Sequence, residues 1–271
     1  MNADGTISQA DNTSLRELCL DIRRQVDALL MDASGDDMLQ NVKLRTRASL
    51  AVIEEALSLY PRQTRLHTLS LSYNGGKDCL VMLILYLAAL ANYASALPEA
   101  LQSIYIVSKD PFSQVEAFTL ETSRKYHLAL LRVERENMRE AFAEYLSPQG
   151  AGKDVKAILV GTRRTDPHGS QLKDFSPTDG KWPAFMRVNA VVYWKYREIW
   201  QFIRYLKIPY CELYDLGYTS LGGTQDTHPN PALIVPEGET EGLLAPDGRR
   251  YRPAYELYED EEERLGRDWA T

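Results

Sequence analysis

Residues 72–79, which read SYNGGKDC, combine residue types that could hold a phosphate group. Gly75 and Gly76 expose backbone N–H groups that an anion can approach closely, and glycine tolerates a backbone with positive φ. Lys77 adds a positive charge, and Asp78 adds a carboxylate. The segment separates a strand-like run from a long apolar run, which predicts a strand that turns directly into a helix N-terminus with positive partial charge. A tight turn in which Asp78 only caps the helix is the alternative interpretation.

A second polar segment, GTRRTDPHG at 161–169, follows the strand-like run KAILVG. It opens a polar stretch at 162–186 that contains glycines and prolines. A long loop in a compact domain is more often functional than idle, so Arg163 and Asp166 are candidate site residues. The alternative is that these two side chains only pair with each other on the surface.

The elements that must position these segments alternate between strand-like and helix-like runs from residue 67 onward. The predicted strands are 67–73, 103–108, 129–133 and 156–161, with a further candidate at 187–192. The predicted helices are 78–93, 113–126 (capped by Ser113 and Glu116), 137–145 and 195–207. This order predicts an α/β fold with a doubly wound, mostly parallel, Rossmann-like sheet. Ligands of such sheets bind beyond the carboxyl ends of the strands, where both polar segments lie.

The rest of the chain predicts a helical flank and an irregular C-terminal segment. Ser14 and Glu17 form a capping-box pattern ahead of apolar residues at helical spacing, and a second amphipathic helix ends before Pro61. Glycine and proline abound near the C-terminus, where periodicity is weak. We therefore expect a single domain made of a helical flank at 1–61, an α/β core at 62–207 and a C-terminal site segment at 208–271.

The composition is that of a globular protein, with 44% hydrophobic residues, 25% charged residues and a net charge of −7. That charge disfavours a general nucleic-acid binder. The three cysteines are far apart and have no histidine close by, which predicts reduced thiols and no Cys/His metal site. The first residues lack the pattern of a signal peptide, and the apolar run at 79–91 is shorter than the roughly 20 residues of a membrane-spanning helix. We expect a cytoplasmic protein without membrane or nucleic-acid partners, and a monomer because no helix shows a spare apolar seam.

The glycine turn is neither a Walker loop nor a G-x-G-x-x-G loop. It resembles the pyrophosphate loop, S-G-G-x-D-S, of the ATP-pyrophosphatase and phosphoadenylyl-sulfate reductase superfamily, whose fold is adenine nucleotide alpha hydrolase-like. Asn74 and Cys79 stand where that superfamily has serine. Four segments in order, SYNGGKDC, GTRRTDPHG, TDGKWPAFMRVNAVVYW and GYTSLGGTQDTHPNPAL, together with ERLGR at 263–267, resemble the eukaryotic, fungal-like FMN adenylyltransferases or FAD synthetases. The resemblance covers residues 67 to 233 and the tail.

This resemblance implies a nucleotidyltransferase of FAD biosynthesis, a flavoprotein enzyme that transfers AMP from ATP to the 5′-phosphate of FMN. ATP and FMN would be the substrates, FAD and pyrophosphate the products, and Mg²⁺ the cofactor. Such a transfer asks the protein for positioning and charge neutralisation more than for covalent chemistry. The core at 62–207 would then bind the nucleotide, and the segment at 208–271 would complete the flavin and phosphate site.

The resemblance also implies roles for individual residues. The positions that match the ATP site are Tyr73, Asn74, Gly75, Gly76, Lys77, Asp78, Gly161 and Arg163. The positions that match the flavin site are Asp166, Pro167, Asp179, Trp182 and Arg187. The matching catalytic residues are Asn74, Asp78, Arg264 and Arg267, and the candidate Mg²⁺ ligands are Asp78 and Asp166.

The resemblance also implies how the flavin-site residues and the C-terminal tail are placed. Trp182 would offer a planar face to the isoalloxazine ring, and Asp179 would accept a hydrogen bond from the ring N3–H. The tail would fold back over the cleft, so that Arg264 and Arg267 neutralise the transferred phosphates. The alternative is that both arginines only pair with the acidic run at 259–263 across one helical turn.

Three other classes of protein could use the same loop. A sulfonucleotide reductase needs a nucleophilic cysteine near its C-terminus, but sixty residues follow the last cysteine, Cys211. A tRNA-thiolating enzyme would carry CxxC pairs and a basic surface, and neither is present. A non-catalytic flavin- or nucleotide-binding protein predicts damaged phosphate groups, yet the glycines, Lys77, Asp78 and both tail arginines are intact. An enzyme is the favoured interpretation.

Overall fold

The structure is a computed structural model that describes residues 13–34, 36–61, 65–135 and 137–268. The helices in these ranges are α1 (Leu15–Met31), α2 (Asp37–Ser58), α3 (Arg65–Thr68), α4 (Lys77–Leu90), α5 (Ser113–Lys125), α6 (Met138–Tyr145) and α7 (Tyr196–Tyr205). The strands are β1 (Leu69–Ser72), β2 (Leu101–Ile106), β3 (Leu128–Val133), β4 (Ala157–Leu159), β5 (Phe175–Pro177), β6 (Met186–Val188), β7 (Leu243–Leu244) and β8 (Arg250–Tyr251). Short 3₁₀ turns connect much of the C-terminal segment.

Six strands form one sheet in the order β3-β2-β1-β4-β6-β5. Neighbouring strands are parallel from β3 to β6, and β5 pairs antiparallel with β6 at the edge. The chain winds from β1 to one side through β2 and β3, and then returns to place β4 on the other side. The predicted doubly wound, mostly parallel sheet is confirmed, whereas the edge strand β5 lies in a stretch that the sequence analysis treated as a loop.

The N-terminal flank consists of α1 and α2, as predicted. The Ser14 hydroxyl accepts from the Glu17 N–H at 3.3 Å, and the Glu17 carboxylate accepts from the Ser14 N–H at 2.9 Å, which confirms the capping box. Five apolar residues of α1 are buried at helical spacing: Leu15, Cys19, Ile22, Val26 and Leu29. Asp36 caps α2 through the Leu39 N–H. Both helices pack on α4, which ties the flank to the core.

Two local predictions were wrong. The cap of α5 is Phe112, with extended backbone, and the Ser113 hydroxyl instead donates to the Gln114 side chain. Glu116 does not cap the helix either, because its carboxylate accepts from the Tyr105 hydroxyl at 2.7 Å. The first strand is also shorter than predicted, since residues up to Thr68 form the helical turn α3.

Helix α4 forms the centre of the core, and all of its residues from Leu80 to Leu90 are buried. With the turn that follows, it is long and apolar enough to cross a membrane, a test that the core helix of a globular protein also passes, and 61% of its most apolar window is buried inside the protein. Residues of β1 and β4 that face α4 lie in one apolar cluster, and Ile158 lies in a second cluster with Phe142 of α6. The sheet is therefore covered on both faces, as a parallel sheet requires.

The strand order places the ends of β1 and β4 side by side. Because the chain leaves β1 toward β2 and leaves β4 toward β6, the loops after these two strands diverge and open a crevice between them. A crevice at such a switch point is the usual ligand site of a doubly wound sheet. Both polar segments singled out in the sequence begin at this point.

Candidate active site

The loop after β1 turns tightly into α4. Gly75 has a φ of +73°, a conformation that is costly for residues with a side chain. The loop is also pressed against α5, since a Cβ atom on Gly75 would lie 2.5 Å from the Thr119 hydroxyl oxygen. Asn74 Oδ1 accepts from the Gly76 N–H at 3.0 Å and closes the turn. Glycine at position 75 is thus required by backbone conformation and by space.

Replacing Gly75 with alanine should distort this loop. We expect the Kd for ATP to rise by about tenfold or more, and the melting temperature to fall by several degrees, because positive φ costs about 1–2 kcal/mol and the contact adds to that. Calorimetric titration with ATP and a thermal melt measure both effects. Gly238→Ala is the matched control, since Gly238 also has positive φ but a Cβ atom there meets nothing within 4 Å. Equal effects of the two substitutions on ATP affinity would contradict a role for the contact with Thr119.

Two N–H groups of the loop are already bonded within the protein. The Gly76 N–H donates to Asn74, and the Lys77 N–H donates to the Tyr214 hydroxyl at 2.9 Å. Tyr214 is buried, and its ring packs edge-on against Trp200. An anion that approaches the N-terminus of α4 would therefore replace two internal acceptors, one amide and one hydroxyl.

A buried ion network lies beneath the loop. Lys77 Nζ lies 3.0 Å from Asp78 Oδ2 and 2.5 Å from Glu263 Oε1, and it also lies 5.1 Å from the centre of the Tyr196 ring. Arg163 Nε lies 2.7 Å from Asp78 Oδ1, and its Nη2 bonds the second oxygen of Glu263. The side chains of Lys77 and Arg163 are 2% and 0% exposed. Two cations and two carboxylates thus form a closed, electrically neutral set.

The opposite charges in this network keep its members ionised by shifting their pKa values. Burial raises the pKa of Asp78, but the charges of Arg163 and Lys77 outweigh burial and hold that pKa below its usual value. Burial lowers the pKa of Lys77, but the carboxylates of Asp78 and Glu263 more than reverse this and raise it. Both groups are therefore ionised at neutral pH. By contrast, burial and the nearby Asp78 charge raise the pKa of Asp166.

The segment after β4 packs directly on the first turn of α4. A Cβ atom on Gly161 would lie 2.8 Å from the backbone nitrogen and the sulfur of Cys79, so this strand exit needs glycine. The Asp166 carboxylate accepts from the Arg163 N–H at 2.8 Å. The predicted alternative, a surface pair between Arg163 and Asp166, fails for the guanidinium, which points inward to Asp78 and Glu263.

The tail folds back over the crevice, as predicted. Residues 260–264 form a 3₁₀ turn, and Arg267 forms a bridge with Thr227. Arg264 Nη1 lies 3.7 Å from Asp166 Oδ1. Arg267 donates to the Leu221 carbonyl and the Asp226 carbonyl, each at 3.3 Å, so it does not pair with the acidic run.

The predicted flavin segment forms the opposite wall. Trp182 lies in a loop as predicted, is 36% exposed, and has its ring centre 6.3 Å from that of Phe142. The loop is shaped by Asp179, whose carboxylate accepts from the Lys181 N–H at 3.0 Å. Arg187 of β6 donates to the Ser176 carbonyl at 3.3 Å. An aromatic face and a carboxylate thus line the same cleft as Lys77, Asp78 and Glu263 of the ion network.

These walls enclose a cleft of about 470 Å³. Most of the predicted site residues line it: Asn74, Gly76, Lys77, Asp78, Gly161, Asp166, Asp179, Trp182, Arg187, Arg264 and Arg267. Four predicted residues do not reach it. Gly75 and Arg163 are buried beneath it, Pro167 is exposed on the surface, and the Tyr73 hydroxyl donates to Thr122 in the core at 2.8 Å.

Among the lining residues that were not predicted, Glu263, Tyr214 and Phe142 each contact a predicted site residue. Glu263 was grouped with an acidic run, although it is 4% exposed and bonds two buried cations. Tyr214 and Phe142 were not singled out as site residues. Glu263 is the first residue of the ERLGR segment that carries the resemblance, and this is the signal that could have drawn attention to it.

A magnesium site fits only one of the two predicted carboxylates. Both oxygens of Asp78 are paired with cations, so it is a poor metal ligand. Asp166 lines the cleft, and its Oδ1 has a cation only at 3.7 Å. Among the residues that the structure describes, no group of three or more His, Cys, Asp or Glu side chains could hold a metal ion. Mg²⁺ is commonly bound by one or two carboxylates plus substrate phosphates, which is the arrangement that Asp166 could support.

Comparisons with known proteins identify the domain. The model of the phosphoadenosine phosphosulfate reductase domain matches residues 68–229. A probable FAD synthase from Schizosaccharomyces pombe is 35% identical over 251 residues, which cover 91% of this chain and 88% of the relative.

Solved structures give the same result. FMN adenylyltransferase from Candida glabrata in complex with FMN and the ATP analogue AMPCPP superimposes with a TM-score of 0.85 at 30% identity, covering 94% of this chain and all of that one. The same enzyme in complex with FAD and inorganic pyrophosphate gives a TM-score of 0.84 at 30% identity, with the same coverage. The fold is shared along nearly the whole length of this chain.

Proposed function

We propose, because the chain belongs to the FAD synthase or FMN adenylyltransferase family, that it transfers the adenylyl group of ATP to FMN and releases FAD and pyrophosphate. One observation carries this proposal. A single cleft brings together the N-terminus of α4, the arginines of the tail and an aromatic wall at Trp182. The first two suit a chain of phosphates, and the third suits a flat ring system.

The reaction follows from these positions. An oxygen of the FMN 5′-phosphate attacks the α-phosphorus of ATP, and the bond from that phosphorus to the β-phosphate oxygen breaks as pyrophosphate leaves. The loop at the start of α4 binds the β- and γ-phosphates through its N–H groups, which exchange Asn74 and Tyr214 for phosphate oxygens. Arg264 and Arg267 lie across the cleft and neutralise the charge that builds up on the departing group.

The buried ion network changes the roles that the resemblance implied for three residues, Lys77, Asp78 and Asp166. Lys77 Nζ is held by Asp78 and Glu263, so we assign it to the support of the loop instead of direct phosphate binding. Asp166 is the residue that would hold Mg²⁺, which would supply further neutralisation of the phosphates when bound. Asp78 acts by orienting Lys77 and Arg163.

We further propose a soluble, cytoplasmic monomer that acts on free ATP and FMN without a nucleic-acid partner. The acidic net charge of −7 disfavours binding to nucleic acid. The apolar helix α4 is used in the core, where it packs against α1, α2 and α7.

A sulfonucleotide reductase is less consistent with the site. Such an enzyme needs a reactive thiolate, and burial raises the pKa of Cys211 to about 11. Cys79 lines the cleft, but burial, reinforced by Asp78, raises its pKa to about 12. Both thiols are therefore protonated at neutral pH and poor nucleophiles.

The direct test is to incubate the purified protein with ATP, FMN and MgCl₂, and to separate the flavins by chromatography. We expect FMN to be converted to FAD with one pyrophosphate released per FAD. A folded protein that forms no FAD would refute the proposal.

The aromatic wall yields a more specific prediction. Trp182→Ala should raise the Kd for FMN by about tenfold, because stacking on an aromatic ring contributes about 1–3 kcal/mol, and should leave the Kd for ATP within about twofold. Quenching of flavin fluorescence measures the first value, and calorimetry measures the second. Trp182→Phe should keep most of the affinity, and Tyr258→Ala, which removes an exposed aromatic side chain outside the cleft, should change nothing. An unchanged FMN affinity in Trp182→Ala would exclude stacking on this side chain.

A further inference from the structure

We infer that Glu263 is a positioning residue, which fixes Arg264 over the cleft by joining the C-terminal tail to the buried cations beneath the phosphate loop. The inference rests on the proposed function, because it assigns Arg264 to the phosphates of that reaction. It gives Glu263, the buried member of the acidic run at 259–263, a role distinct from that of the other members.

The first support is the set of contacts that Glu263 makes. Its two carboxylate oxygens bond different partners, one the Lys77 ammonium at 2.5 Å and the other the Arg163 guanidinium. Lys77 begins α4 after β1, and Arg163 follows β4. The Glu263 side chain therefore connects the two segments, after β1 and after β4, that form the crevice. The carboxylate is 5% exposed, whereas Glu261 in the same turn is exposed to solvent.

The backbone around Glu263 is held as firmly as its side chain. The Thr219 hydroxyl donates to the Glu263 carbonyl at 2.6 Å. The Asn230 side chain donates to the Glu262 carbonyl at 2.7 Å and to the Thr219 hydroxyl at 2.9 Å. Because Arg264 is the next residue in the same 3₁₀ turn, these bonds determine where its side chain begins.

Arg267 is anchored in a different way. Its guanidinium bonds the segment 220–226 through the Leu221 carbonyl, the Asp226 carbonyl and the Asp226 carboxylate. None of these partners belongs to the ion network. The two tail arginines therefore have different supports: the segment 220–226 holds the Arg267 guanidinium, whereas Arg264 directly follows Glu263 and has its Nη1 3.7 Å from Asp166 Oδ1.

This separation can be tested with double-mutant cycles. Glu263→Gln keeps the size of the side chain but removes the charge that binds Lys77 and Arg163. We expect it to lower kcat/KM for FAD formation by about tenfold or more, and we expect a clearly smaller loss in an Arg264→Ala background, where only the effect of Glu263 on Lys77 and Arg163 remains. In an Arg267→Ala background the loss should persist nearly unchanged. Glu261→Gln is the matched control and should have no effect.

The same cycles are to be measured on the Kd for AMPCPP, so that binding is assessed independently of turnover. Independent losses in the Glu263 and Arg264 variants, or equal coupling to both arginines, would overturn the inference, because a merely structural role of Glu263 would not distinguish between them. If the parent protein binds AMPCPP but forms no FAD, the proposed function fails while the binding cycle still decides the role of Glu263.

A thermal melt of every variant separates loss of fold from loss of position. If Glu263→Gln does not fold, Thr219→Val removes the bond to the Glu263 carbonyl without changing any charge. Its effect on kcat/KM should again be coupled to Arg264→Ala and additive with Arg267→Ala. Additivity with both arginines would contradict the inference.

Discussion

Replacing Asp78 with asparagine is expected to lower kcat for FAD formation by a factor on the order of 100, because a misplacement of about 1 Å in such a site has that effect. Asp78 holds Lys77 Nζ at 3.0 Å and Arg163 Nε at 2.7 Å, so its charge orients two buried cations next to the phosphate loop. The Kd for ATP should change much less than kcat, since the substitution removes a negative charge and does not weaken the attraction for a triphosphate. Loss of one partner of a buried ion pair should also reduce the free energy of unfolding by about 3–5 kcal/mol.

Urea unfolding measures the second effect, and steady-state kinetics at a temperature where both proteins are folded measures the first. Asp154→Asn is the matched control, since Asp154 is exposed and does not line the cleft. An Asp78→Asn enzyme with the parent kcat would show that the network has no part in catalysis. An unchanged stability would show that the network is not the closed set of charges described above.

Arg267→Ala is expected to reduce kcat/KM by a factor on the order of 100 to 1,000, the range found when one donor to a developing charge is removed from an active site. Arg267 reaches the cleft from a fixed position, because four interactions with residues 220–226 hold its guanidinium. Its loss should leave the free energy of unfolding nearly unchanged, since the side chain is only partly buried and its partners can bond to water. Catalysis and stability should therefore separate in this variant.

Arg267→Lys restores the charge but not the planar fork of donors, so it should recover only part of the activity. Arg24→Ala, which removes an exposed arginine of α1, should retain full activity. If Arg267→Ala keeps its kcat/KM, the tail does not neutralise charge in the transition state, and the role of the folded-back segment must be sought in flavin binding alone.

The sheet and its cleft could be predicted from the sequence because each depends on local pattern. Alternation of apolar runs with amphipathic helices indicates a parallel sheet, and a parallel sheet places the segments after β1 and β4 at the same edge. Gly75 and Gly161 sit at the two places where the backbone approaches α5 and α4 too closely for a side chain. Because only glycine fits at such positions, these close approaches can be recognised in the sequence.

The support beneath the cleft could not be predicted, because it depends on long-range contacts. Glu263 meets Lys77 across 186 residues and Arg163 across 100 residues. No periodicity distinguishes Glu263 from its exposed neighbours, and nothing near Tyr214 indicates that its hydroxyl accepts from the loop. Lys77 was therefore interpreted as a phosphate ligand, although its ammonium faces two carboxylates and the ring of Tyr196.

The arrangement has a consequence for how the site receives its substrate. The Gly76 N–H donates to the Asn74 side chain, and the Lys77 N–H donates to the Tyr214 hydroxyl. A phosphate that binds there would replace these two acceptors.

We propose that this cleft transfers the α-phosphate of ATP, with its adenosine, to FMN. Incubating the protein with FMN, MgCl₂ and ATP labelled at either the α- or the γ-phosphorus follows the fate of each phosphate. The label from the α-position should appear in FAD, and the label from the γ-position should appear only in pyrophosphate. Label from the γ-position in inorganic phosphate or in a flavin product, or no labelled FAD from folded protein, would contradict adenylyl transfer at this site.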